Sequence, residues 1–321
     1  MNRREFLKGG MAAAGGLVAS ASLPAIAEND PALFSSRGVF ERLSLAYHHV
    51  HIGLPKPFSV LHISDTHLSE AYYNEGEQLV DWAAKRKRSF GACQEAALAS
   101  SIKWARDHAD YILHTGDLID FKSQANLDLV RKYYGQGANQ FGTTGNHEYQ
   151  REPRAQGVRN TAEYNETSRA ELDAAFGFDT LFSSTVANGV NFVCMDQCYG
   201  TVTPEQAEKF RAEAAKGLPI MLCMHAPFMT PEIWLANCKF WRRSGARFTS
   251  AVAPDPMGDY RRQEEDPVTA DFLRYLRSEP LLKGILAGHL HIAVEDRFSP
   301  TAMEYVVGGN FMCHGAEILF T

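Results

Sequence analysis

The 321-residue sequence contains no Cys-x-x-Cys pair, no internal repeat, no low-complexity tract and, past its N-terminal leader, no long apolar run. The first absence argues against a structural zinc ribbon, and six cysteines are too few for a chain of this size to depend on disulfides for its core. Mostly free cysteines are therefore expected. The second and third argue against a repeat array or a disordered chain. No later segment reaches the ~20 apolar residues of a spanning helix, so no stable membrane span is expected. A broad basic stripe is also missing. Lys plus Arg number 32 against 38 Asp plus Glu, for a formal net charge of −6. General nucleic-acid binding, which needs a basic face, is not expected. The one basic run, Lys85-Arg86-Lys87-Arg88, reads as a solvated helix start or loop. Against these absences stand 45% hydrophobic and 22% charged residues, the balance of an ordinary globular protein with a sizeable core.

The N-terminus reads as an address. Asn2-Arg3-Arg4-Glu5-Phe6-Leu7-Lys8 resembles a twin-arginine export signal that lacks the usual Ser or Thr before the arginines. A weakly apolar Gly/Ala-rich stretch follows, and Ala25-Ile26-Ala27 has the small-x-small pattern of a cleavage site. Residues 1–27 are thus expected to be a signal peptide, 28–37 a linker and 38–321 a single domain. Removing 1–27 takes Lys plus Arg from 32 to 29 and Asp plus Glu from 38 to 37, leaving a mature charge of about −8. The twin-arginine translocase is the partner this implies during export, with a periplasmic or secreted destination. Because that route carries folded proteins, folding and metal loading would precede export.

Along residues 38–321, short apolar runs alternate with helical stretches. Residues 39–52 suggest an edge strand or hairpin. Strands are expected at 58–63, 111–113, 191–195, 220–224, 282–287, 305–307 and 318–320, and another just before Gly145. Helices are expected at about 89–108, 124–133 and 204–216. Such alternation implies βαβ units and a largely buried sheet in an α/β fold. Two segments, 69–88 and 228–269, read as long irregular loops, and loops of that length usually carry function. The second holds Trp234, Trp241, Arg242 and Arg243, anchor-type residues suited to setting substrate choice.

Chemistry-bearing residues collect where these strands end. In order they are Asp65-x-His67, Gly116-Asp117, Gly145-Asn146-His147-Glu148, the lone His225 and Gly288-His289-x-His291. Ligands of open α/β sheets bind outside the carboxyl ends of the strands, so five separate loops would deliver these groups to one place. Glycines before Asp117, Asn146 and His289 suit tight turns. Taken alone, His225 would be a structural histidine; the ordered set draws it in as a ligand. His48, His49, His51, His62, His108, His114 and His314 keep structural roles. A ligand set of carboxylate, amide oxygen and imidazole without thiolate suits Mn, Fe or Zn.

The ordered set resembles the calcineurin-like metallophosphoesterase superfamily over residues 58–291. The resemblance implies a two-sheet β-sandwich flanked by helices, a four-layer αββα arrangement. It implies two divalent transition-metal ions: one on Asp65, His67 and His291, one on Asn146, His225 and His289, with Asp117 bridging. It also implies His147 as the group that contacts the substrate phosphate, and hydrolysis of phosphate esters by a hydroxide shared between the ions. Purple acid phosphatases of the superfamily have a tyrosine three residues after the bridging Asp. Asp120 stands there, so no tyrosinate ligand is expected. Gly116 to Asp120 is similar to the protein-phosphatase branch, where the second Asp supports the catalytic His, but Phe121 replaces the Arg that follows. Gly53-Leu54-Pro55 and Ser64-Asp65-Thr66-His67-Leu68 look closer to exported bacterial phosphodiesterases. The expected substrate is a phosphate-ester small molecule or a lipid headgroup. A metal-dependent nuclease would use the same site, but the acidic balance counts against it. A non-catalytic scaffold of the same fold would be expected to lose ligands or His147, and all are present.

Replacing Arg3 and Arg4 together with lysine should leave the uncleaved precursor in the cytoplasm, as read by fractionation and immunoblot. Normal export of that variant would rule the twin-arginine route out.

Overall fold

Every residue of the strand β2 (Phe58–Ile63) is buried, a pattern that requires cover on both faces of its sheet. A computed structural model, which describes residues 43–135, 137, 139–150, 162–197, 200–243, 263 and 265–321, shows what supplies that cover. The signal peptide and linker read at 1–27 and 28–37 lie outside the described residues.

Five strands form one sheet, in the order β1 (Ser44–Val50), β11 (His314–Phe320), β2, β3 (Tyr111–Thr115) and β4 (Gln140–Thr143). Six form the other: β5 (Phe182–Ala187), β6 (Val190–Met195), β7 (Ile220–Cys223), β8 (Leu282–Ala287), β10 (Met303–Val306) and β9 (Val294–Arg297). Within the first sheet β2, β3 and β4 run parallel, and within the second β6, β7, β8 and β10 do. The edge strand foreseen within 39–52 is β1, which pairs with β11 alone.

Period-two alternation divides each strand between two cores. Phe58 and Val60 of β2 join Phe141, Phe192, Met221, Cys223, Leu286, Ile318 and Phe320 in a core between the sheets. Leu61 and Ile63 face the other way, into a core shared with Leu98 and Ile102 of α2 (Gln94–His108), Leu127 and Val130 of α3 (Gln124–Tyr133), and Leu172 of α4 (Ala162–Phe176). On the far side of the second sheet, Val193, Leu222 and Ile285 meet Phe210 of α5 (Pro204–Ala214), Ile233 of α6 (Pro231–Arg243), and Phe272 and Leu276 of α7 (Pro267–Ser278). The fold is therefore helices, sheet, sheet, helices, as the family resemblance implied.

Several expectations are corrected. The helix expected at about 89–108 is α2, which begins at Gln94, and an unforeseen helix, α1 (Glu77–Ser89), precedes it, with left-handed Gly91 (φ 79°) and Ala92 (φ 58°) between them. Segment 69–88 is thus largely helical rather than a loop. Of the run Lys85–Arg88, Arg86, Lys87 and Arg88 fall in the last turn of α1, where cations offset the helix dipole. It is not uniformly solvated: Arg86 is buried. Within 228–269, residues 231–243 form α6, which opens at a proline suited to a first turn, and α7 begins at Pro267. Residues 244–262 and the side chains of Trp241, Arg242 and Arg243 lie outside the described part. Reading that segment for its Trp, Arg and Pro content concealed its helical period. Helix α4 and strands β5 and β9 were also not foreseen. Cys93, Cys194, Cys223, Cys238 and Cys313 are free thiols, and Cys194 faces Cys223 in register across β6 and β7.

The inter-sheet core has an aromatic centre. Phe192 lies 5.0 Å from Phe141 and 5.4 Å from Phe320 between ring centroids. Phe192→Ala should destabilise the protein by about 3–5 kcal/mol, the usual cost of such a cavity. Val186→Ala, on an exposed position of edge strand β5, should cost less than about 0.5 kcal/mol. Urea unfolding of both variants measures the contrast, and equal effects would contradict this placement of the core.

Candidate metal centre

Asp65 and His67 follow β2, Asp117 and Asp120 follow β3, and the Gly145–Glu148 turn follows β4. His225 follows β7, and His289 and His291 follow β8. All lie at the carboxyl ends of parallel strands. Five of these residues have left-handed backbones: Asp65 (φ 55°), His67 (φ 54°), Asp117 (φ 54°), His289 (φ 68°) and His291 (φ 58°). Each costs a side-chain-bearing residue about 1–2 kcal/mol. Cross-loop hydrogen bonds hold them. Asp65 N donates to Gly116 O (3.0 Å) and His67 N to Asp117 O (2.9 Å). His289 N donates to Asp65 Oδ2 (2.9 Å). The glycines do two jobs. Gly116 makes a turn at φ 92°. Gly145 and Gly288 permit contact, since a Cβ would stand 2.3 Å from Asp117 Oδ1 at the first and 1.9 Å from Ser64 Oγ at the second.

Among the described residues three groups of donor atoms converge: Asp65, His67 and His291; Asp117, His225 and His289; and His67, Asp120 and His147, of which the first two flank Asp117 Oδ2. His67 Nε2 is 3.1 Å from His291 Nε2, and His291 Nε2 is 3.4 Å from Asp65 Oδ1. His225 Nε2 is 3.2 Å from His289 Nδ1. Asp117 Oδ2 lies between the first two groups, 3.2 Å from His225 Nε2 and 3.8 Å from His67 Nε2. The far nitrogens are held from behind. His225 Nδ1 lies 2.8 Å from Thr115 O, to which it can donate, and His67 Nδ1 lies 3.1 Å from Asp120 Oδ1. Such partners set a histidine's tautomer and aim its other nitrogen at a metal. Two buried oxygens, Asp65 Oδ1 and Asn146 Oδ1, have no hydrogen-bond partner. Orphaned acceptors among converging imidazoles are what metal ions would satisfy, so the residues present fit such ions. Asn146, His147 and His289 are half-buried, which makes theirs the open side.

His147 is tied to the site at both ends. Its backbone N donates to Asp117 Oδ1 (2.8 Å), and its ring Nδ1 lies 2.9 Å from both the backbone carbonyl oxygen and Oδ1 of Asp120. Burial opposes its charge, but Asp117 and Asp120 outweigh burial and raise its pKa to about 9. Burial likewise opposes charge on His225, and Asp117 raises it to about 10. His67 goes the other way: burial lowers it to about 4 despite Asp120. The carboxyls of Asp65, Asp117 and Asp120 fall below the usual range, because cationic and donor partners overcome a burial penalty that acts upward.

Reading the motifs missed three supports. Glu148, inside the quoted Gly-Asn-His-Glu motif but given no role, accepts hydrogen bonds from the N–H groups of Leu118 (2.7 Å), Gly145 (2.7 Å), Asp117 (3.0 Å) and Ile119 (3.3 Å), and so ties the β3 and β4 loops together. Burial and nearby Asp117 raise its pKa to about 7 against those donors. Arg86, read as solvated, binds Asp120 through Nε to Oδ2 (2.5 Å) and Nη2 to Oδ1 (2.7 Å). Phe90 stacks on His67 at 4.2 Å and 7°. Beneath the site, Thr66 Oγ1 donates to Asn310 Oδ1 (3.0 Å) and lies 3.0 Å from His114 Nε2. His114 and His62 are buried supports, consistent with their structural reading.

This geometry now meets known proteins. The profile of the family described as calcineurin-like phosphoesterase matches residues 58–293, and the chain belongs to that family. No curated protein matches it. Among solved structures it is similar to a dimetal phosphatase from Danio rerio (14% identity, 79% of this chain and 88% of that one, TM-score 0.46). It is similar to a phosphopantetheinyl hydrolase from Mycobacterium tuberculosis (16% identity, 79% and 90%, TM-score 0.42). It is also similar to a 5'-nucleotidase from Candida albicans (14% identity, 84% and 47%, TM-score 0.39), of which it spans less than half. Membership of the family makes the chain a hydrolase of the phosphoesterase class, metal-dependent as the family is, with buried His/Asp groups that could hold the metal.

The raised histidines predict a pH response of the chelator-treated protein. Groups raised from about 6.5 to 9 and 10 stabilise the fold fully below the lower value and lose that contribution as pH rises through the higher ones. Glu148, raised from 4.5 to about 7, acts in the same direction but mostly below that range. The melting temperature in excess chelator should therefore fall between about pH 7 and about pH 10. A constant or rising melting temperature there would contradict the charged state assigned to His147 and His225.

Proposed function

We propose that the protein hydrolyses phosphate esters at a dinuclear metal site. Asp65, His67 and His291 would hold one ion, Asn146, His225 and His289 the other, with Asp117 shared. The observation that supports this most is Asp117 Oδ2, which lies between the two donor groups, within 4 Å of an imidazole nitrogen of each. Two divalent ions would hold the phosphate oxygens and acidify a water for in-line attack.

The rest falls to the chain's own residues. Only Asp65 and Asp117 among the seven ligands are anionic, so two ions leave about +2 on the site, and an anionic ester is attracted although the protein is acidic overall. Asp120 does not alter that balance, because Arg86 neutralises it. His147, which is half-buried, has its Nδ1 engaged by Asp120, which leaves Nε2 as the ring nitrogen for substrate. It is placed to donate a hydrogen bond to the phosphate or a proton to the leaving oxygen. Substrate choice is assigned to the segment 228–269, which follows His225 closely in the sequence. With the leader taken as an export signal, the substrate is a phosphate ester met outside the cytoplasmic membrane. No helix among the described residues is long and apolar enough to cross one.

The test is a comparison of bis-p-nitrophenyl phosphate with p-nitrophenyl phosphate, using full-length protein reconstituted with Mn²⁺. Hydrolysis should be lost on chelation and restored by metal. His147→Ala should lose roughly 10²–10⁴-fold in kcat while still binding metal. Asp117→Asn, which weakens the shared ligand, should retain fewer than two ions per chain. Absence of metal-dependent hydrolysis of either ester would defeat the proposal, and full metal occupancy in Asp117→Asn would place the bridge elsewhere.

A further inference from the structure

The last turn of α1 reaches the metal centre at two points, and neither belongs to the five motif loops. Arg86 lies 6% exposed with its guanidinium against Asp120, a carboxylate with no exposed surface. The contact is a fork, Nε to Oδ2 at 2.5 Å and Nη2 to Oδ1 at 2.7 Å, and such a pair fixes the carboxylate's rotation as well as its charge. Asp120 Oδ1 is then shared three ways. Besides Arg86 it faces His67 Nδ1 at 3.1 Å and His147 Nδ1 at 2.9 Å. A modest turn of the carboxylate would separate it from both imidazoles. Phe90, directly after α1, supplies the second point: its ring stacks on His67, and the Arg86 guanidinium carbon lies 4.8 Å from its centroid. The same turn therefore holds the plane of the His67 ring through Phe90 and its Nδ1 through Arg86 and Asp120.

We propose that Arg86 is a positioning residue, whose guanidinium fork sets the rotation of Asp120 so that one carboxylate oxygen aligns His67 and His147 together. This rests on the ligand and donor roles given above to those two histidines. The claim is about geometry and not only charge. Asp120 is buried and needs a cation, but lysine would supply that as a point charge without the fork. Arg86 acts through Asp120 and is not among the converging donor residues.

The experiment uses full-length Arg86→Lys, Asp120→Asn and the double variant, each loaded with Co²⁺. Cobalt reports on ligand geometry through its visible absorption, and chelator competition gives its affinity. Arg86→Lys should bind cobalt about 10–100-fold more weakly, the usual effect of losing a partner behind a metal ligand. It should also show an altered absorption band, and its kcat on bis-p-nitrophenyl phosphate should fall with KM held within about twofold. Adding Arg86→Lys to Asp120→Asn should cost little more than Asp120→Asn alone, because both changes break one relay. Wild-type cobalt affinity and spectrum in Arg86→Lys would overturn the proposal, as would full additivity with Asp120→Asn. Should Arg86→Lys fail to fold, Arg86→Gln, which keeps one donor, is judged by the same criteria. Failure of the hydrolase reading is distinguishable. A wild type that binds cobalt but cleaves neither ester would remove the function, while the cobalt affinity and spectrum still decide the role of Arg86.

Discussion

Three carboxylates, Asp65, Asp117 and Asp120, lie buried within one cluster at the strand ends, and the surrounding structure is organised around keeping them there. Charge removed from water must be paired or neutralised, at a cost of several kcal/mol per ion when it is not. Each carboxylate has its own answer. Asp120 has a guanidinium. Asp117 has the His147 amide and the ring of His225. Asp65 has the His289 amide at Oδ2, while its Oδ1 has the His291 ring at 3.4 Å and no hydrogen bond. The last of these is the incomplete one, and it lies where an ion would complete it. Glu148 shows the same constraint from the other side. Placed near Asp117, it is pushed toward its neutral form even while four backbone N–H groups point at it.

Gathering these groups requires backbone to approach backbone. The loops after β2, β3, β4, β7 and β8 touch through positions where no side chain fits, at Gly145 and Gly288, and through residues held in left-handed conformation. Strain of this kind persists only where surrounding contacts over-determine it, and it concentrates where function needs a fixed geometry. The two sheets and their three apolar cores supply that rigidity. The site stands on the ends of strands whose side chains are buried on both faces.

Much of this was legible in the sequence because it is local. Strand 58–63 and helix 124–133 declare themselves by apolar period and bounding residues, and the ligand motifs sit where those strands must end. The parts that were not legible depend on distant partners. Arg86 lies in a run of four cations that has every mark of a solvated surface. Its burial follows from a pairing 34 residues away with Asp120, which no local pattern encodes. Helix α1 was missed with it, because its apolar residues are sparse and its inner face is completed by an ion pair rather than by packing. Glu148 stood inside a recognised motif, yet its work is done on the backbone of another loop.

What the sequence by itself determined is the alternation of strands and helices, the identity of the candidate site residues and their order along the chain. Those follow from period, turn chemistry and residue type, all carried by neighbouring positions. Only the tertiary structure decided which imidazole nitrogen faces the site, that Asp117 stands between two donor groups, and that an arginine on α1 sets the carboxylate behind two of the histidines. These depend on distances of about 3 Å between residues far apart in the chain, and such distances exist only once both sheets and their helices have closed around the loops.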